Sequence, residues 1–276
     1  MRFGLDISQH QLTFDQLVSR ARMAEGAGLE GAWVFDHFKA LYADPMGPCL
    51  ESWTLLAGLA RETSTIRLGT LVTGMTYRHP SVLAAEVVTV DHLSNGRVEC
   101  AVGAAWNEPE HRELGIPLPP PPERMDRFEE GVQVLRALFT QDHVSFQGRY
   151  FTLDDATYHP RPIQRPSPPI WVGGTGRLRT LPIAGRYADA WHGWADDANE
   201  LGEMSTIIDR AAEEAGRDPA TILRASSLSI SEDWDVVRRA YDWMAGAGIG
   251  YLVIGWPGEG EGRVREFLET VLPTLD

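Results

Sequence analysis

The feature of this sequence that most limits its fold is a regular alternation of short apolar runs with longer helical segments. Such alternation forces the strands to run parallel, because each helix carries the chain back to the same edge of the sheet. Eight strand–helix pairs follow one another within 276 residues. They predict an α/β fold, a (β/α)8 TIM barrel with insertions, that forms a single domain over residues 1–276.

The predicted strands are short runs of apolar or β-branched residues bounded by turn residues. They are RFGLDIS, GAWVF, IRLGTLVT, RVECAVGAA, IWVGG, DAWHGW, TILRASSLSI and GYLVIGW. An insertion at about 144–169 separates the fourth predicted helix from the fifth strand, with a small hairpin at FQGRYFTL and a proline-locked segment after it. A doubly wound open sheet is the alternative fold. It usually carries a phosphate loop after its first strand, where this chain has no glycine-rich loop.

The composition of the chain limits which partners the protein is expected to bind and in which compartment it is expected to work. The net charge of −14 argues against nucleic acid and anionic membranes as partners, because both require a basic surface. No apolar run reaches the length of a membrane span, and the N-terminus has no signal-peptide pattern. Cys49 and Cys100 lack metal-ligand spacing and are expected to be reduced thiols. We therefore expect a cytoplasmic protein that acts on a small-molecule substrate.

The candidate site residues are those that follow each predicted strand, because the site of such a barrel forms at the carboxyl ends of its strands. Asp36 and His37 follow the second strand. The other candidates are Thr73, Gly74 and Met75 after the third strand, Trp106, Asn107 and Glu108 after the fourth, His192 and Trp194 after the sixth, and Trp256 after the eighth. The tryptophans suit a planar ligand, although a barrel rim commonly contains tryptophan in any case.

The loop after the fifth strand carries the clearest chemical signal. It consists of Gly173, Gly174, Thr175, Gly176 and Arg177. A strand, glycines and then a helix gather backbone N–H groups at a helix N-terminus, where the helix dipole favours an anion. A plain glycine turn would give the same pattern. We favour a phosphate site, because barrels of this class often bind phosphate in their second half.

The Asp36–His37 pair allows three interpretations. A mononuclear metal barrel would usually need an HxH motif after its first strand, but Asp6, Ile7 and Ser8 stand there, so we expect no metal. A hydrogen-bonded structural histidine is the second interpretation. The third, which we favour, is a histidine that contacts a ligand while Asp36 positions it or caps the following segment.

Several segments taken together resemble the luciferase-like monooxygenase superfamily. They are WVFDHF, IRLGTLVTGMTYRHP, RVECAVGAAWNEPEHRELGI, ERMDRFEEGVQVLRALFT, FQGRYFTLDDA and PRPIQRPSPPIWVGGTGRLRTLPIAGRYADAW. Within that superfamily the chain looks most like the oxidoreductases that use coenzyme F420, a deazaflavin. The resemblance covers roughly residues 1–194, with order and spacing kept, and it implies a luciferase-like (β/α)8 barrel, a small organic substrate and a homodimer.

The resemblance also implies roles for particular residues. A non-proline cis peptide at Leu71–Val72, followed by Thr73, would back the deazaflavin ring. The segment from Gly103 to Asn107 would lie beside that ring, and Asn107 would contact it. The loop Gly173, Gly174, Thr175, Gly176 and Arg177 would hold the cofactor phosphate. His37, with Asp36, would face the reactive side of the ring as the catalytic group.

One departure from the glucose-6-phosphate dehydrogenase branch stands out. That branch has an acidic glutamate close after the fourth strand. This chain reads Ala104, Ala105 and Trp106 there, and its nearest glutamate, Glu108, is shifted from the expected position. Three functions therefore stay open at this point. The first is hydride transfer between F420 and a small substrate, the second is an FMN-dependent monooxygenase using O2, and the third is a flavin- or deazaflavin-binding barrel without catalysis.

Overall fold

Eight parallel strands close into a barrel in the computed structural model, which describes residues 1–42 and 44–275. The barrel strands in chain order are β1 (Arg2–Asp6), β2 (Gly31–Val34), β3 (Arg67–Thr70), β4 (Thr73–Gly74), β5 (Val98–Gly103), β8 (Ile170–Gly173), β9 (Ala190–His192), β10 (Leu223–Leu228) and β11 (Tyr251–Ile254), with β3 and β4 sharing one position. β11 pairs with β1, and β3 pairs with β5, which closes the sheet on itself. The predicted (β/α)8 barrel is confirmed.

The insertion before β8 forms an antiparallel hairpin outside the barrel. Its strands are β6 (His143–Gln147) and β7 (Thr152–Thr157), which are longer than the predicted hairpin segment. A proline-rich stretch then leads to β8. The Asp91 carboxylate accepts hydrogen bonds from the backbone N–H groups of Ile163 and Gln164, so this stretch is fixed to the helix that carries Asp91.

The helices surround the barrel strands. They are α1 (Phe14–Gly26), α2 (Ser52–Glu62), α3 (Pro80–Ser94), α4 (Glu108–Leu114), α5 (Pro121–Thr140), α6 (Thr180–Tyr187), α7 (Ala198–Glu214), α8 (Trp234–Gly246) and α9 (Glu261–Glu266). The expected capping box of Thr13 and Gln16 begins α1. The last predicted helix continues beyond α9 as a π-helical turn over 267–271 and a 3-10 turn over 272–274. The short helix α4 is absent from the sequence prediction.

Aromatic side chains fill the inside of the barrel. Trp33, Trp171 and Tyr251 are almost fully buried there, and Trp33 Nε1 donates to the Tyr251 hydroxyl at 3.1 Å. Gly4 of β1 makes room for them, because a Cβ on Gly4 would lie 2.4 Å from the Tyr251 hydroxyl oxygen. Tyr251 is the first residue of β11. The aromatic cluster therefore closes the amino-terminal part of the barrel, and a ligand has room only at the carboxyl ends of the strands.

Helices α6 and α7 pack closely through a glycine. A Cβ on Gly185 of α6 would lie 2.4 Å from the carbonyl oxygen of Ile208 in α7. Backbone in van der Waals contact with backbone leaves no space for a side chain at this position. Within the described part of the chain, no helix is both long and apolar enough to cross a membrane.

Candidate active site

A cavity of about 730 Å³ opens at the carboxyl ends of the barrel strands. Seven of the residues to which the family resemblance gives a role line it: Asp36, His37, Leu71, Val72, Gly103, Gly173 and Gly174. They come from four neighbouring positions of the barrel, at the ends of β2, β3, β5 and β8. The fold thus brings together residues that lie up to 138 positions apart, from Asp36 to Gly174.

The other residues to which the resemblance gives a role lie outside the cavity wall, whereas the further candidates Gly74, Trp106, His192 and Trp194 line it. Thr73 is fully buried, and its hydroxyl accepts a hydrogen bond from Trp53 Nε1 at 3.0 Å. Asn107 caps helix α4, with its side-chain oxygen accepting from the Glu110 N–H at 3.3 Å. Arg177 is exposed on the loop and pairs with Glu203 at 2.7 Å. Thr175 and Gly176 continue the loop beyond the part that lines the cavity.

Asp36 is buried, and its carboxylate binds groups on the loops and helices at the carboxyl end of the barrel. Its carboxylate accepts from Ser52 Oγ at 2.6 Å and from the Gly74 N–H at 3.2 Å. Arg78 binds both carboxylate oxygens, at 2.7 and 3.1 Å. These bonds saturate the carboxylate, so its role in the structure is to fix the segment that carries His37.

His37 is paired with a carboxylate that the sequence prediction missed. Its Nδ1 lies 2.7 Å from Glu110 Oε2, in a contact that is buried on both sides. The other Glu110 oxygen accepts from the Phe38 N–H at 2.8 Å and the Lys39 N–H at 3.2 Å. The Tyr77 hydroxyl donates to Glu110 as well. Since Nδ1 is fixed by Glu110, Nε2 is the His37 nitrogen without a hydrogen-bond partner among residues 1–42 and 44–275.

The charge of Glu110 is stabilised by these contacts. Burial alone would raise its pKa, but hydrogen bonds from His37 and Tyr77, together with the His37 charge and the Phe38 N–H, lower the pKa of Glu110 to about 2. The same surroundings raise the pKa of Tyr77, first through burial and then through its bond to Glu110. Glu110 is therefore an anion and Tyr77 a neutral donor, so the His37 ring faces a fixed negative charge at Nδ1.

The sequence did contain a signal for Glu110. Asn107 is an N-cap residue type, Pro109 is a favoured residue in a first helical turn, and Gly115 is a C-terminal stop signal. Together they mark a helix of seven residues on which Glu110 faces the site. The carboxylate that seemed absent at Ala104–Trp106 is thus supplied by the next helix, and Glu108 lies at the exposed first position of that helix.

The floor of the cavity is a shelf built around Val72. The Leu71–Val72 peptide bond is cis, as predicted. Glycines on the two adjoining strands face the Val72 side chain, since a Cβ would lie 2.7 Å from it at Gly103 and 2.6 Å from it at Gly173. Only glycine leaves room at these positions, so the shelf is flat and open to a planar ring system.

The glycine loop offers donors next to this shelf. Gly174 has φ +123, and its N–H donates to the His192 carbonyl at 2.9 Å, so that group is occupied within the protein. The N–H groups of Thr175 and Gly176 have no partner among the residues described. A flat shelf beside free backbone donors fits a cofactor with a planar ring and a phosphate.

The wall opposite His37 carries a separate set of polar groups. His192 Nε2 lies 3.0 Å from Ser227 Oγ, and burial lowers the pKa of His192 to about 4, so its imidazole is neutral. On the nearer side, at the end of β1 beside β2, burial raises the pKa of Asp6 to about 6, against the opposing effects of the Ser8 N–H and of Arg20. No group of three metal-ligating side chains occurs in the described ranges.

Comparison with known proteins agrees with this geometry. The family model described as luciferase-like monooxygenase matches residues 1–270. The chain belongs to the luciferase-like monooxygenase family. Among relatives of this luciferase-like protein is an F420-dependent hydroxymycolic acid dehydrogenase of Mycobacterium tuberculosis, 33% identical over 89% of this chain and 67% of the relative. An F420-dependent glucose-6-phosphate dehydrogenase of Kineococcus radiotolerans is 31% identical over 85% of this chain and 69% of the relative.

Solved structures share the fold of this luciferase-like protein. An F420-dependent secondary alcohol dehydrogenase in complex with an F420–acetone adduct superposes with a TM-score of 0.89 at 23% identity, covering 100% of this chain and 99% of that one. The F420-dependent tetrahydromethanopterin reductase of Methanopyrus kandleri has a TM-score of 0.85 at 20% identity, covering 100% and 99% of the two chains. The overall barrel fold is therefore shared with these structures.

Proposed function

We propose that the protein is an F420-dependent oxidoreductase that transfers a hydride between the deazaflavin and a small organic substrate. The observation that carries this proposal is the pair of dehydrogenase relatives, each above 30% identity over most of the chain, whose names specify F420. The cavity supports it with a flat shelf at Val72, free N–H groups in the glycine loop, and a paired histidine.

The cofactor would be held by the residues at the ends of β3, β5 and β8. Leu71 and Val72 would support the ring from below, and Gly103 and Gly173 would let it approach the backbone. The N–H groups of Thr175 and Gly176 would bind the phosphate. Thr73 and Asn107 would act from behind the wall, through Trp53 and α4. Arg177 would reach the cofactor only after leaving Glu203.

The His37–Glu110 pair would manage the proton of the reaction. When bound, the deazaflavin supplies the centre that accepts or donates the hydride. Nε2 of His37 takes the proton from a substrate hydroxyl during oxidation and returns it to a carbonyl during reduction. Glu110 holds Nδ1–H and offsets the positive charge that His37 gains, so Glu110 is a positioning residue and His37 the catalytic one.

A cofactor titration tests this function. Purified protein is titrated with oxidised F420 and separately with FMN, and binding is followed by quenching of ligand fluorescence. We expect F420 to bind at least about tenfold more tightly than FMN, a difference of about 1.4 kcal/mol or more. Equal or reversed affinities would reject the F420 assignment and favour an FMN-dependent monooxygenase, the chemistry that the family model's description names.

The remaining alternative is a barrel that binds a deazaflavin without catalysis. Binding of F420 followed by no reduction with any of a panel of alcohols and sugar phosphates would favour it. The cytoplasmic location and the homodimer stay predictions, which cell fractionation and the solution mass of the purified protein would check.

A further inference from the structure

A second cavity of about 690 Å³ lies beside the first. The two cavities share Tyr77, Ala104 and Arg124 as lining residues, so they meet along one wall. The outer boundary of the second cavity is the turn of Pro117, Leu118 and Pro119, in which the fixed φ of proline limits movement. This annex is therefore a built extension of the active-site cavity.

Arg124 stands where the two cavities meet, and its guanidinium is unpaired. Its Nε is buried and has no hydrogen-bond partner, and no carboxylate among residues 1–42 and 44–275 lies within ion-pair distance of it. A buried donor without a partner destabilises the protein, and a bound acceptor would remove that destabilisation.

The other arginines of the annex are already engaged. Arg78 binds the carboxylates of Asp36, Glu51 and Glu86. Arg127 pairs with Glu123 at 2.7 Å and lies over the Tyr150 ring, 4.6 Å from its centre. Among the described residues that line the annex, Arg124 is thus the arginine left free to bind an anion.

The location of Arg124 indicates which anion that would be. Arg124 and Met125 border the first cavity together with Gly174 and Thr180, which belong to the glycine loop and the start of α6. A ligand whose phosphate lies at this loop would continue past Arg124 into the annex. Coenzyme F420 carries a lactyl-oligoglutamate tail, whose carboxylates follow directly after its phosphate.

We propose that the annex binds the carboxylate tail of the deazaflavin cofactor and that Arg124 binds one carboxylate of that tail. This inference rests on the proposed F420-dependent function. A carboxylate on the substrate would have the same chemistry, and the proline turn would suit either source. Arg124 favours the cofactor, because it lines both the annex and the first cavity, and Gly174 of the glycine loop lines that first cavity.

The test compares three ligands on wild-type protein and on Arg124→Gln. The ligands are the deazaflavin chromophore alone, its 5′-monophosphate, and F420 with its full tail. We expect Arg124→Gln to weaken binding of full F420 by about tenfold or more and to change binding of the other two by less than about twofold. Arg186→Gln is the matched control, since it removes the same charge from an arginine that pairs with Glu129 outside both cavities.

Each other outcome has a definite meaning. An equal loss for the monophosphate would place Arg124 on the phosphate and overturn the tail assignment. Unchanged F420 affinity would overturn it too, and a raised KM for a carboxylated substrate in the same variant would assign Arg124 to the substrate. Failure of wild-type protein to bind F420 at all would instead reject the proposed function. Circular dichroism of the variant confirms that it is folded.

Discussion

His37 takes its chemical setting from residues that are distant in sequence. Glu110 lies 73 positions later and fixes Nδ1, while Tyr77 donates to the same carboxylate. Asp36, its neighbour in sequence, points away into bonds with Ser52, Gly74 and Arg78. The two acids next to His37 therefore have different roles. Asp36 fixes the backbone, and Glu110 fixes the proton on Nδ1 of the ring.

Replacing Glu110 with glutamine tests the role of the His37–Glu110 pair. The amide cannot offset the charge of a protonated His37, so we expect kcat to fall by about tenfold to a hundredfold while F420 affinity stays within about twofold. Steady-state kinetics with cofactor titration measure both values. The control is Glu113→Gln, which changes an exposed glutamate of the same helix and is expected to leave kcat unaltered.

Acid stability gives a second measurement on the same variant. The pKa of Glu110 is depressed in the folded protein, from its usual 4.5 to about 2, so its ionised form stabilises the fold above the usual value. That stability is lost as the pH falls from about 4.5 to about 2. We expect the melting temperature of Glu110→Gln to fall less steeply in this window than that of wild type. Parallel curves would contradict the buried ion pair.

At the scale of elements, Gly185 sets the distance between α6 and α7. We expect Gly185→Ala to lower the free energy of unfolding by about 1–3 kcal/mol, because the methyl group would overlap the Ile208 carbonyl. Gly202→Ala in α7 is the matched control. A Cβ there meets nothing within 4 Å, so the exchange should stabilise the helix by about 0.5–1 kcal/mol. Urea unfolding measures the free energy of unfolding of both variants. Equal changes in the two variants would contradict close packing at Gly185.

The elements also show how far sequence reasoning reaches. The barrel strands and long helices were predictable, because each repeats one pattern over many residues. Helix α4 was missed, because seven residues make fewer than two turns and show no repeating pattern, so that only its cap and stop residues signalled it. The cis bond at Leu71–Val72 followed from family resemblance. The unpaired state of Arg124 was beyond prediction, because it depends on which carboxylates the folded helices bring near each arginine.

For the whole molecule, the net charge of −14 acts on any anionic ligand that approaches. Coenzyme F420 is a polyanion, so long-range repulsion should slow its association at low ionic strength. We expect the association rate constant to rise as salt increases from about 0.01 to 0.15 M, where the screening length shrinks from about 30 to 8 Å. Stopped-flow fluorescence measures this rate, and the chromophore without phosphate and tail, which carries fewer negative charges, should show a smaller change. A falling rate would mean that the local field of Arg124 outweighs the net charge.

The position of α4 has a consequence for how such a protein could be re-engineered. Residues 104–119 are one continuous stretch of chain between β5 and α5, and they supply Trp106 at the rim, Glu110 beside His37 and the proline turn of the annex. The shelf and the glycine loop lie on other segments. This stretch is thus a single exchangeable module, through which a transplant could replace the proton partner, the entrance and the proline turn of the annex together while leaving the shelf and the glycine loop in place.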